Sequence, residues 1–124
     1  MLKINRDTAL QVLEAVVNEA GSDFIYRDTA NKACEYEAGG KPSCIVGHAL
    51  VKAGVPVSVL ILMDRRGDSS IDSEDLEEVF TEHEIVISPD ALSVFAEAQA
   101  AQDTTGTTWG NALARSQSIR QEQS

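Results

Sequence analysis

A mainly α-helical protein, packed as one bundle of about six short helices with a minor β-hairpin near residues 34–42, is what this sequence predicts. Three observations carry that expectation. Apolar residues recur at three- and four-residue spacing in stretch after stretch, opened by Ser, Thr or Asp and in places closed by Gly. Aromatic residues make up 5% of the chain against 43% hydrophobic overall, so Leu, Val, Ile and Ala must fill the interior. A chain of 124 residues can also bury one core without a disulfide or metal to hold it. Residues 1–120 are accordingly read as a single α-helical domain and residues 121–124 as a frayed polar tail.

Asp7 or Thr8 can cap a first helix to Ala20, with Leu10, Leu13, Val16 and Val17 on one stripe and Gly21 as its stop. Ser22 to Lys32, with Phe24, Ile25 and Tyr26 among polar residues, reads as a connector. Cys34 and Tyr36 alternate before Gly39, Gly40, Lys41 and Pro42, a turn that closes a small hairpin or simply redirects the chain. Ser43 then sits where a cap belongs, opening an apolar helix from Cys44 to Ala53 that Gly54 ends. This helix is expected to be buried, with the other helices packed around it.

Val57 to Met63 suits a buried strand or a helix. Helix is preferred, because Ser58 can cap it, Arg65 and Arg66 suit the dipole of its last turn and Gly67 can stop it. A further helix runs from about Ser73 to Glu82, with Leu76, Val79, Phe80 and His83 at helical spacing. Ile85, Val86 and Ile87 form a short extended link before Ser88, Pro89 and Asp90, a strong helix start. Leu92, Phe95, Ala98 and Ala101 mark that helix to about Gln102. Thr107 or Thr108 caps a last one, in which Trp109, Ala112, Leu113 and Ser116 share a side.

The net charge of −10 is concentrated. Residues 61–84 hold nine acidic and two basic side chains, and such a surface repels nucleic acid backbones and anionic membranes alike. No direct nucleic acid binding and no membrane association are expected. The N-terminus lacks the apolar region of a secretory signal, which points to the cytoplasm and to cysteines held as thiols.

Cys44, at a helix N-terminus where unpaired N–H groups favour a thiolate, is a candidate nucleophile, with His48 one turn on as base or counter-ion. The plainer reading is a small packed thiol, since nothing supplies a third orienting group or an oxyanion hole. Cys34, Cys44 and His48, with His83 as a distant fourth, are candidate zinc ligands, but the cysteines lack the close pairing of structural sites. A Cys34–Cys44 disulfide is conceivable across a hairpin, though not in a reducing compartment. Asp64 to Asp75 resembles a calcium loop only superficially: Arg66 and Ser69 stand where an oxygen ligand and a glycine are required. No cofactor is expected. Asp72, Glu74, Asp75, Glu77 and Glu78 are either a solvated face or an interaction surface for a basic protein. Gln99, Gln102 and Asp103 can bind a ligand. The structural alternative has the amides satisfying buried backbone groups while Trp109 anchors the final helix with its N–H paired.

Two blocks carry a family resemblance. Cys34-x-Tyr36 with Gly40-x-Pro42-x-Cys44-Ile45-Val46-Gly47-x-x-Leu50, and Gln99-x-x-Gln102-Asp103 with Trp109-x-x-Ala112, resemble small uncharacterised proteins of actinobacteriophages and of actinobacteria such as streptomycetes. The similarity covers roughly residues 30 to 115. It implies a small protein made in the host cytoplasm of an infected actinobacterium, where an accessory protein binds a host protein and inhibits or redirects it. A thiol-dependent enzyme or redox protein using Cys44 and His48 is the alternative. Val59, Leu60, Leu62 and Met63 suit either core or a homo-oligomer seam.

Overall fold

In the computed structural model, residues 1–26, 35–66, 70–104 and 106–118 are described. They form β1 (Leu2–Ile4), α1 (Arg6–Ala20), β2 (Glu37–Ala38), β3 (Lys41–Pro42), α2 (Ile45–Ala53), α3 (Val57–Asp64), α4 (Glu74–Glu82), β4 (Ile85–Ile87), α5 (Pro89–Gln102) and α6 (Trp109–Gln117). The mainly α-helical class is as the sequence predicts. So is the hairpin, in which β2 and β3 pair antiparallel across Gly39 and Gly40, both at positive φ.

Local chemistry starts each helix, and in three places it differs from the sequence expectation. Asn5, rather than Asp7 or Thr8, caps α1, because it leaves β1 extended and its Oδ1 accepts from the Thr8 N–H at 2.9 Å. Cys44, rather than Ser43, caps α2: its Sγ accepts from the Gly47 N–H at 3.4 Å, while the Ser43 hydroxyl is 2.7 Å from that of Tyr26. α3 begins directly after Pro56 with no side-chain cap, so Ser58 does not serve. Ser73, Ser88 and Thr108 cap α4, α5 and α6 as expected.

The core is aliphatic, with Leu13, Ile45, Leu50, Leu60 and Leu76 fully enclosed around Phe95 and Trp109. Burying side chains of this size stabilises by roughly 1.5–3 kcal/mol each. α1 packs on α2, α5 and α6, and α5 on α1, α2 and α6, whereas α3 packs on α4 and the hairpin. The hub is therefore shared by α1 and α5, and α2, although buried as expected, is one wall of it. Val59, Leu60 and Met63 lie in this core and Leu62 is half-buried against it. His83 departs from the expected apolar stripe: it is exposed at the end of α4, with its Nδ1 2.9 Å from the Val79 carbonyl.

Ile85–Ile87 is more than a link. It pairs parallel with Leu2–Ile4, in the register Leu2↔Ile85, Lys3↔Val86, Ile4↔Ile87. Glu84 takes a φ of 58° to turn the chain from α4 into this strand. The segment read as a connector also has a task. Phe24 and Ser22 offer their carbonyls to the Trp109 and Gly110 N–H groups, at 2.8 and 2.9 Å, satisfying donors that a helix N-terminus leaves without an intrahelical partner.

Candidate functional site

The two sequence candidates for chemistry, the Cys44 centre and the acidic segment, occupy different parts of the molecule. Cys44 is a free thiol with no exposed surface. Its backbone N–H donates to the Glu35 carbonyl at 2.9 Å and its sulfur is engaged as the α2 cap. His48 follows one turn along, half-buried, with its ring edge-on to Trp109 at 5.7 Å. Burial, reinforced by the nearby Lys52 ammonium and opposed by Glu19, holds the His48 imidazole below its ordinary pKa. A neutral imidazole is a poor counter-ion for a thiolate, and although it could act as a base, the enclosed Cys44 sulfur offers a substrate no approach, so this arrangement suits packing better than nucleophilic attack. Trp109 is enclosed by Phe24, Tyr26 and His48. Contrary to expectation, its Nε1 is buried with no hydrogen-bond partner among the described residues. Cys34 lies outside the described residues, and with it the expected zinc set and disulfide. Among the described residues, no group of three or more His, Cys, Asp or Glu is placed to hold a metal ion.

The two glutamines carry out the structural task. Gln102 Oε1 accepts from the Ile45 N–H at 2.7 Å, satisfying a donor in the first turn of α2. Gln99 Oε1 accepts from the Ile71 N–H at 3.1 Å, and its Nε2 donates to the Tyr36 hydroxyl at 2.8 Å. α5 thus ties together α2, the loop before α4 and the hairpin. Asp64 was missed by sequence reasoning. Its two carboxylate oxygens accept from the Tyr36 and Glu37 N–H groups at 2.9 and 3.0 Å, fixing the entry to β2 from the end of α3. Its place in an unconvincing calcium loop concealed this role, since only the tertiary fold brings residue 64 to the hairpin.

Asp72, Glu74, Asp75, Glu77 and Glu78 are all exposed, on α4 and the turn leading into it. The buried Leu76, Val79 and Phe80 hold this helix by its other face. Glu78 alone of the five has an ion-pair partner among the described residues, Arg66, at 3.8 Å. Asp72 and Glu77 also border a groove of about 280 Å³ whose floor includes Phe80 and β4. The site is thus an acidic helix, anchored by its buried face, beside a largely apolar groove.

The chain matches no family model, no curated protein and no solved structure. The site must therefore be interpreted from its own geometry. Among the described residues no helix is long and apolar enough to cross a membrane.

Two carboxyls, Asp103 and Asp64, make stability fall as pH rises through their titration. Burial of its carboxyl pushes the Asp103 pKa up from 3.8 to about 6, against an opposing hydrogen bond from Gln102, even though the residue as a whole is exposed. The unfolded chain therefore loses this proton first, and stability should fall as pH rises from about 4 to about 6. Asp64 is raised too, by burial despite its two backbone hydrogen bonds, and adds a contribution of the same sign. Asp103→Asn should flatten that part of the profile by a fraction of a kcal/mol, because solvent screening limits the effect of so open a group. Thermal melts across this range check it, and an unchanged slope in the variant would exonerate Asp103.

Proposed function

We propose that this chain acts by binding another protein, with the acidic outer face of α4 as the contact surface for a basic patch on the partner. The carrying observation is the placement of five exposed carboxylates on α4 and the turn leading into it, with a single ion pair to them among the described residues. Fixed charge of one sign steers an oppositely charged surface and selects its orientation without any moving part. In the setting that the resemblance implies, the partner is a host protein in the cytoplasm of an actinobacterium, and the chain is a phage accessory protein that inhibits or redirects it. The thiol-dependent alternative has less support, because Cys44 is fully enclosed and a nucleophile needs an open approach.

Affinity capture from an actinobacterial lysate, read by mass spectrometry, tests this. A partner retained by the parent protein should be lost when Glu74, Glu77 and Glu78 are all changed to Lys, and it should elute as salt screens the contact. Cys44→Ser, which keeps an acceptor at the α2 cap with oxygen in place of sulfur, should retain it. Capture indifferent to the charge reversal, or capture lost in a folded Cys44→Ser protein, would sink the reading.

A further inference from the structure

The groove beside α4 runs along an unfilled strand edge. It touches Ile85, Val86 and Ile87 together, as a groove running along the strand does. No β1 residue borders it, whereas Leu2 borders a separate cleft that shares only Ile85 with this groove. The edge in question is therefore the one turned away from β1.

The ladder shows which groups that edge presents. The Leu2 N–H donates to the Glu84 carbonyl and the Ser88 N–H to the Ile4 carbonyl, each at 3.0 Å, in the parallel register Leu2↔Ile85 and Ile4↔Ile87. In that register Val86 turns its N–H and C=O toward β1, while those of Ile85 and Ile87 point outward. The backbone hydrogen bonds among the described residues include no partner for these outward groups. An unpaired edge of this kind is a template for a further strand, and two strands alone make a sheet of marginal stability. The groove floor also takes in the apolar Phe80 and Leu92, and its rim carries Asp72 and Glu77.

We infer that the outer edge of β4 receives an extended peptide segment of alternating apolar and basic residues as a third strand. Main-chain bonds to Ile85 and Ile87 hold the segment, the Phe80 and Leu92 floor takes its apolar side chains, and Asp72 and Glu77 pair with its Lys or Arg. This deepens the acidic-face reading, on which it rests, by naming the backbone edge and the form of the partner. Val86, the most exposed apolar side chain of the strand at 47%, would be covered in such a complex.

The probe is a synthetic heptapeptide of alternating Lys and Val, titrated at low salt into the isotopically labelled full chain, with amide exchange followed by NMR. Exchange at Ile85 and Ile87 should slow by about tenfold or more at saturation, corresponding to about 1.4 kcal/mol of added protection. Asp72→Lys and Glu77→Lys should weaken the peptide about tenfold, and Glu74→Lys, off the groove, should weaken it less. A Glu–Val heptapeptide should not bind. If the Lys–Val peptide binds but leaves the two amides unprotected, strand docking is wrong while the acidic-face reading survives. Absence of binding overturns the docking, whatever the lysate capture shows. So does protection of both amides without peptide in a protein that sediments as a dimer, for then a second copy covers the edge.

Discussion

Gly47→Ala should destabilise the protein by about 3 kcal/mol, although by helix propensity alone Ala would be favoured there by about 1 kcal/mol. Gly47 lies inside α2, and a Cβ at that position would stand 2.2 Å from the Tyr36 carbonyl oxygen and 3.1 Å from its carbon. What it would meet is backbone, and that backbone is held from several sides. The Tyr36 carbonyl accepts from the Ser43 N–H, its own N–H and that of Glu37 donate to Asp64, and its hydroxyl is bonded by Gln99. Relief would have to break one of these attachments or lift the hairpin off α2. Urea unfolding of parent and variant gives the difference directly. A neutral or stabilised Gly47→Ala protein would mean that the hairpin is not pressed against α2 in this way. The stretch from Tyr36 to Gly54 thus works as a closely fastened wall of the core, with the glycine permitting the approach of the hairpin to α2.

How much of this was legible in the sequence depends on the range of the interaction concerned. The helices were readable because periodicity and capping act within a few residues, and Ser73, Ser88 and Thr108 cap as their chemistry dictates. Cap placement failed at Cys44 because sulfur is a weak acceptor that capping preferences do not favour, while the better acceptor beside it, Ser43, is held by Tyr26. The pairing of β1 with β4 was not readable. Three-residue strands carry no distinctive pattern, and the two partners lie far apart in the chain, so nothing local to either strand marks the other. The same limit hid the role of Ser22 and Phe24, whose carbonyls leave no side-chain signature. For the candidate site, the composition of the α4 face was visible as charge, but the unfilled edge beside it could appear only once β4 was known to be a strand.

The glutamine pair lies between those extremes, since its chemistry was legible and its partners were not, and it supports the second large prediction. Gln102→Leu keeps most of the side-chain volume and removes the acceptor of the Ile45 N–H. Gln99→Leu does the same to the Ile71 N–H and also removes the donor to Tyr36. Both glutamines are buried, at 4% and 6% exposure, so water cannot readily replace the lost acceptors. Leaving one buried donor unsatisfied costs roughly 1–3 kcal/mol, and each single variant should lose about 2 kcal/mol, with Gln99→Leu the worse of the two. The residues sit one turn apart on α5, close enough for the two losses to couple, so the combined loss should exceed either single one and reach at most about 4 kcal/mol. That is a large share of the roughly 5–15 kcal/mol by which ordinary domains are stable. The double variant should therefore show a much lower urea midpoint, or remain unfolded without denaturant. If instead the glutamines served a ligand, Gln→Leu changes would cost little stability without it, and the full urea series on the purified chain distinguishes the two accounts.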